Sequence, residues 1–435
     1  MGKFQKYINN NVLFKVAHLN TTTVLTRIIA GILTSKAIAV LIGVEGMALI
    51  GNLRNFLSAI HASAILGFYN GLVKYISEVK EHAIELSKTI STAFYLGFVS
   101  TIIVAFVCYY NADFVNDFLF SDNYNYAYVI RVLAVALPFY SLNMFCFAIM
   151  NGFSKYRMLL VINIIGQLLG LGITLLLIYQ SNIDGALVAA VITPSLLVLM
   201  TIVAILNQRS LMSSIKLSNV NRDVLKKFGP FAIMALVSAI AVPLVSIVIR
   251  NYIIDVVGIK EAGYWEAMNR ISDYYLMFIM SMMSLYFLPR FSEIESKQEF
   301  RKEVFTFYKT VVPYFAAGLL LIYLLRSFIV PLVFSEAFRP TESLFAWQLM
   351  GDFVKVISIV IAYQFIAKRM FWHFIIIEVF LVFMLYLTSV YLIDVYGVQG
   401  AVIGHFVSYV LFYGVVLLLF GSSLFGVISD EEEQE

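Results

Sequence analysis

The chain has 435 residues, of which 61% are hydrophobic and only 13% charged, with a formal net charge of +3 at pH 7 and a mean hydropathy of +0.88. So little polar surface cannot cover a water-soluble globule of this size, which makes lipid the solvent for most of the chain and leaves nucleic acid out of the expected partners.

A membrane span needs roughly 20 mainly apolar residues to cross a ~30 Å hydrocarbon layer. Twelve such stretches follow in order, at approximately 17–41, 47–73, 89–110, 126–150, 158–180, 185–207, 228–250, 262–289, 309–330, 341–367, 371–393 and 398–422. They are long and rich in Leu, Ile, Phe and Gly, unlike the short alternating segments of an outer-membrane barrel, so the expected fold is an all-α membrane protein of twelve transmembrane helices. The first stretch is full length and carries Arg27 and Lys36 in place of a small-residue cleavage site, so it is expected to stay as the first helix.

Twenty of the 30 lysines and arginines fall in the first tail and the even-numbered connections, whereas the odd connections hold only Arg250, Lys260, Arg326 and Arg339. Bases are retained on the cytoplasmic side, so both termini are expected in the cytoplasm of a multi-pass bacterial inner-membrane protein. The segment 111–125, with Asp113, Asp117 and Asp122 and no base, is expected to face outward; the acidic tail from Asp430 runs against the trend, but acids weigh little in this rule. Cys108 and Cys146 both fall in spans and the five histidines are scattered, so neither a disulfide framework, a metal site nor a cofactor is expected. Soluble-enzyme signatures such as a phosphate-binding loop or a nucleophile elbow are absent, and no catalytic residue is assigned.

An internal repeat is visible. Gly43 and Gly258 precede the second helix of each half, Arg54 and Arg270 follow inside it, and Gly185-Ala186 and Gly400-Ala401 open each sixth helix, all about 215 residues apart. Each half of six spans ends on the side where it began, so the expected organisation is two six-helix lobes, 1–215 and 216–435, related by a pseudo-twofold along the membrane normal with a substrate site at their interface. Pro138, Pro194 and Pro243 lie well inside spans, where each can bend its helix.

Charge at bilayer depth costs ~2.5–3.5 kcal/mol per base even on the lenient insertion scale, so such residues should face water or a partner. First-half spans contain Arg27, Lys36, Arg54 and Arg131 and no acid, a formal +4; second-half spans contain Arg270 and Lys355 against Glu266, Asp273, Asp352 and Glu378, a formal −2. Unpaired bases converging on one bundle would hold a phosphate or pyrophosphate, with Arg270 pointing in from the other half. Lys36 and Arg131 are also close enough to the outer edge to snorkel. The pairs Arg270 with Asp273 and Asp352 with Lys355 are spaced to neutralise each other on one helical face, which is the alternative to a functional role. Glu378, with no base nearby in its own helix, is the leading residue for coupling transport to a proton or cation, with Asp273 and Asp352 as further choices.

Three segments, 345–355 (FAWQLMGDFVK), 70–75 (NGLVKY) and 284–290 (SLYFLPR), resemble the Wzx flippases for O-antigen and enterobacterial common antigen, members of the multidrug/oligosaccharidyl-lipid/polysaccharide exporter superfamily. The likeness covers nearly the whole chain. It implies a V-shaped pair of lobes around a central cavity, moving an undecaprenyl-pyrophosphate-linked oligosaccharide from the cytoplasmic to the periplasmic leaflet by alternating access. It also implies that Arg27, Arg54 and Arg270 correspond in helix position to the cavity bases of the lipid II flippase, and that other polysaccharide-assembly membrane proteins are partners. Two extra C-terminal helices of that flippase have no counterpart here, which leaves the polyprenyl tail's path open. The rivals are a cation-coupled multidrug antiporter of the same fold, disfavoured by the formal +4, and a membrane glycan polymerase or ligase, for which no catalytic motif is visible.

Overall fold

The computed structural model describes residues 12–120, 124–206 and 215–425. Lys3, Lys6, Asp122, Arg209 and the acidic tail, used above to orient the chain, lie outside them. The described residues form helices α1 (Val12–Leu41), α2 (Val44–Ala64), α3 (Phe68–Val79), α4 (Ala83–Tyr110), α5 (Ala112–Phe120), α6 (Ala127–Gly152), α7 (Tyr156–Leu206), α8 (Arg222–Val256) and α9 (Ile259–Met282). A π-helical segment, Met283–Phe287, joins α9 to α10 (Leu288–Glu293), followed by α11 (Lys297–Thr310), α12 (Val312–Leu324), α13 (Arg326–Val333), α14 (Phe345–Ala367), α15 (Phe371–Tyr396) and α16 (Val398–Phe425). No strand occurs among these residues.

Among the described residues, ten helical stretches are long and apolar enough to cross a membrane, or eleven with the bent pair α2–α3. The 51-residue α7 turns at Ser181 and Asn182, whose backbone angles are not helical, and so supplies two passes instead of one. The expected twelve are therefore present in a multi-pass membrane protein. Contacts divide the chain into two compact units, one ending at Ile247 and the other beginning at Val248, so the division falls inside α8.

In the first unit, the second span is not the uninterrupted helix expected for 47–73. It bends by 42° between Ala64 and Phe68, where Leu66 and Gly67 take positive φ angles of 51° and 61°. Gly67 is needed twice over there: its backbone is left-handed, and a Cβ would stand 2.9 Å from the carbonyl oxygen of Ala232 in α8. The break frees carbonyls that lipid cannot satisfy. Two hydroxyls of α4 reach them, Ser100 to Ser63 at 2.8 Å and Thr101 to Ala64 at 2.9 Å. Phe228 then closes the bend, packing on Phe68 and edge-on against Tyr75 with Leu72, Ile76 and Ile90 behind them. Pro138, Pro194 and Pro243 lie inside α6, α7 and α8, but the sharp breaks sit at Gly67 and Asn182.

The repeat is carried by backbone geometry. Gly43 and Gly258, with φ angles of 92° and 133°, start α2 and α9. Asn182 and Gly397, again 215 apart, take φ angles of 49° and 61° at the turns before the sixth and twelfth passes. Three residues on, a Cβ at Gly185 would stand 1.9 Å from the Leu177 carbonyl oxygen, and one at Gly400 would stand 2.1 Å from that of Leu392. Both hairpins thus close by the same backbone approach, which any side chain larger than hydrogen would obstruct.

The second unit contains a buried ion triplet. Glu266 of α9 accepts from Arg250 Nη2 at 2.6 Å and from Arg270 Nε at 3.0 Å, with Arg250 and Glu266 only 1% and 4% exposed. Trp265 covers it, its ring centroid 5.1 Å from the Arg250 guanidinium carbon. Arg250 therefore does not belong to an outward connection, as the charge count had it: α8 continues to Val256 and buries this side chain against the next helix. Each oxygen of Glu266 takes one guanidinium group, so attraction within the triplet offsets part of the desolvation of its charges.

Two outcomes follow from this packing. Gly185→Ala and Gly400→Ala will each lower the thermal unfolding midpoint in detergent, at a cost of about 1–3 kcal/mol, whereas Gly414→Ala, with open space beside it, will not. Glu266→Ala, which leaves two guanidinium groups without their shared acid, will cost about 3–5 kcal/mol, measured as the loss of folded protein in a denaturant titration.

Candidate functional site

Arg27 and Arg54 stand near the middles of α1 and α2, two helices in contact, and both are exposed on the first unit. Asn52, two residues from Arg54, is fully buried and donates to the Leu119 carbonyl at 2.7 Å, which pins α2 to α5 and fixes the face that Arg54 presents. Lys36 is half-buried nearer the end of α1. Exposed guanidinium groups at this depth offer planar forks of donors to a phosphate or pyrophosphate.

Arg131 differs. It pairs with Asp113 of α5 at 2.8 Å, so it is not the unpaired base expected: the acid comes from the connection preceding the span, outside the stretch in which charges were counted. Arg131 stands with Tyr109 and Tyr128 along an apolar groove of about 620 Å³ between α4, α6 and α7. A second apolar hollow, of about 240 Å³, lies beside the α2–α3 bend and shares Phe139 with that groove. Neither hollow is lined by Arg27 or Arg54, so these spaces suit hydrocarbon and not a charged headgroup.

In the second unit Arg270 sits mid-helix on α9, like its repeat mate Arg54 on α2, yet it is 4% exposed and holds Glu266. With the 215-residue offset, Arg250 and Glu266 correspond to Ser35 and Gly51, so the first half has no such triplet. Asp352 takes its direct contacts from His405 at 3.0 Å, from the Tyr275 hydroxyl and from Gln348, and acts on Lys355 through space. Lys355 turns to Tyr409, its Nζ 5.4 Å from the ring centroid. The expected Asp352–Lys355 pair is thus replaced as a contact by partners from other helices. Asp273 is exposed, and Glu378 is 8% exposed within electrostatic reach of Tyr409.

Two functional-looking residues had no sequence assignment. His61 of α2 stacks on Tyr140 of α6 with centroids 3.7 Å apart, and His405 contacts Asp352. No group of three or more metal-ligating side chains occurs among the described residues.

The family described as polysaccharide biosynthesis protein matches residues 46–343. The lipid III flippases of Escherichia coli (strain K12) and Shigella flexneri are each 28% identical over 412 residues, covering 93% of this chain and 98% of theirs. Among solved structures, an inward-facing multidrug resistance MATE family transporter of the MOP superfamily superposes with a TM-score of 0.76 at 14% identity, covering 93% of this chain and 96% of that one. The lipid II flippase MurJ in an inward closed conformation gives 0.69 at 13% identity over 93% and 87%. The architecture is therefore shared with these transporters, and with a profile match running through more than half of its length the chain belongs to the polysaccharide biosynthesis protein family.

Proposed function

We infer that the protein is a flippase, moving a lipid-linked oligosaccharide from the cytoplasmic to the periplasmic leaflet of the bacterial inner membrane by alternating access. Nearly end-to-end similarity to proteins named lipid III flippase supports this reading, as does the fold shared with the lipid II flippase. The substrate class is an undecaprenyl-pyrophosphate-linked repeat unit of O-antigen or enterobacterial common antigen. No bond is made or broken in the transfer, so no catalytic residue is required. Both termini face the cytoplasm on the positive-inside rule, and other polysaccharide-assembly proteins of the membrane deliver or receive the substrate.

One observation carries the chemistry: Arg27 and Arg54 are exposed at the middles of their helices, whereas Arg250 and Arg270 of the second unit are buried against Glu266. The pyrophosphate is held by Arg27 and Arg54, with Lys36 and Arg131 drawing the anion along the first unit. Arg270 acts by holding α9 and α8 together and not as a free fork. A cation-exporting drug antiporter would present acids where these bases stand. A membrane potential negative inside adds ~2.3 kcal/mol per exported negative charge per 100 mV.

Vesicles reconstituted with the protein and a fluorescent undecaprenyl-pyrophosphate oligosaccharide test the reading. Flipping by Arg27→Ala/Arg54→Ala will fall by at least about tenfold, since two charge-assisted contacts at about 1.5–3 kcal/mol each are removed, while Arg131→Ala will lose less. Full-rate flipping by the double variant would overturn the assignment of the pyrophosphate site; uptake of cationic dyes without flipping would overturn the substrate class.

A further inference from the structure

The two apolar hollows of the first unit share Phe139 and together follow α6 from Tyr128 to Ala148. At ~1.5 Å per residue this course runs ~30 Å, the thickness of the hydrocarbon layer. Tyr128, Val135, Phe139 and Leu142 form one stripe of α6, and at Pro138 the lining passes to the neighbouring face through Ser141 and Phe145. α4 supplies the facing wall, with Tyr109 at the Tyr128 end and Phe94, Gly97 and Phe98 at the other. Phe98 and Phe139 are exposed, so the track opens sideways to lipid.

Polar side chains along the lining are turned to protein partners. The Tyr128 hydroxyl donates to Asp184, Arg131 pairs with Asp113, the Ser141 and Thr101 hydroxyls lie 2.9 Å apart, and Ser195 donates to the Ala136 carbonyl at 2.9 Å. What is left for a guest is aliphatic and aromatic surface. Phe94 stands edge-on to Phe145 with centroids 5.0 Å apart and parallel to Phe98 at 6.1 Å, which sets the wall in advance. Gly97 leaves room in it: a Cβ there would meet no atom within 4 Å, so no packing demand answers the cost of a glycine in the middle of α4.

Lipid gives no hydrophobic drive for filling such a track, because its tails are as apolar as the lining. The guest that fills it is the one whose shape recovers the dispersion contacts a void forfeits. Length then selects among lipids. A phospholipid chain spans one leaflet, ~15 Å, whereas an undecaprenyl chain reaches through both. The head of such a lipid is within reach: Ile65, on the lining, lies on the same face of α2 as Arg54, ~16 Å along the axis. Between them the Ser58 hydroxyl is spent on the Arg54 carbonyl, and His61 lies flat against Tyr140.

We propose that this track along α6 seats the polyprenyl tail of the glycolipid whose pyrophosphate Arg27 and Arg54 hold, an assignment that rests on the translocation reading above. A tail tethered to α2 by its head enters the track as an intramolecular step, which favours it over free phospholipid. The second span thus meets both ends of the substrate, the head at Arg54 above the break and the tail at Phe68 and Leu72 below it.

The test uses the intact protein in nanodiscs with an undecaprenyl-pyrophosphate oligosaccharide that carries a diazirine in the far half of its chain. On illumination the chain will attach to α4 and α6 between Phe94 and Phe145; excess unlabelled undecaprenyl pyrophosphate will suppress attachment by at least about tenfold, and excess phosphatidylglycerol will not. A second readout needs no label. Gly97→Trp fills the track at a position where a Cβ meets no neighbour, and Gly414→Trp, equally open but on α16, is its control. The native protein and Gly414→Trp will bind the undecaprenyl glycolipid at least about tenfold more tightly than its geranylgeranyl counterpart, and in Gly97→Trp this ratio will fall to about one with the short-chain affinity unchanged. Attachment spread evenly over the lipid-facing helices, competition by phospholipid, or an undiminished ratio in Gly97→Trp would each overturn the proposal. If the chain attaches along the track yet no lipid is flipped, the translocation reading fails and the tail's seat stands. If Gly97→Trp flips lipid at the native rate and attachment lies elsewhere, the seat fails and the translocation reading stands.

Discussion

One carboxylate, Glu266, shared between two guanidinium groups, sets the terms for the second unit. Three charges buried without water would be intolerable singly, but as a triplet under Trp265 they bind α8 to α9 with a specificity that apolar packing alone does not give.

The first unit solves the opposite problem. Arg27 on α1 and Arg54 on α2 stay exposed, and polar groups in its interior form neutral hydrogen bonds: Asn52 on the Leu119 carbonyl, Ser100 and Thr101 on the bend of the second span, Thr201 on Asn143 at 2.6 Å. Neutral hydrogen bonds give the helices register at little desolvation cost. The duplicated fold thus carries different chemistry in its two copies, one presenting charge and the other storing it.

Much of this was legible from the sequence, because lipid imposes a simple rule on it. The twelve passes follow from run length, and the repeat from Gly43 and Gly258, which take positive φ angles, and from Gly185 and Gly400, which allow a close backbone approach. The exposure of Arg27 and Arg54 agrees with the cost of burying a charge. What the sequence concealed was pairing across helices. Arg250 reads as a loop residue because it stands at the end of an apolar run, and only the approach of α9 reveals it as core. Arg131 reads as unpaired because its acid precedes the span. His405 carries no periodic or motif signal, since its place beside Asp352 depends on a missing Cβ at Gly351 on another helix. The break at Gly67 was hidden by an apolar run that continues straight through it.

The tight hairpins have a mechanical consequence. Where Gly185 lies against Leu177 and Gly400 against Leu392, the two arms of each hairpin are clamped backbone to backbone at one end. Such arms can tilt as a single lever but cannot slide lengthwise past each other. Within the first unit, any shortening or swivelling that transport demands must therefore be taken up elsewhere, and the joint between α2 and α3, where the continuous helix is interrupted, is a place for it.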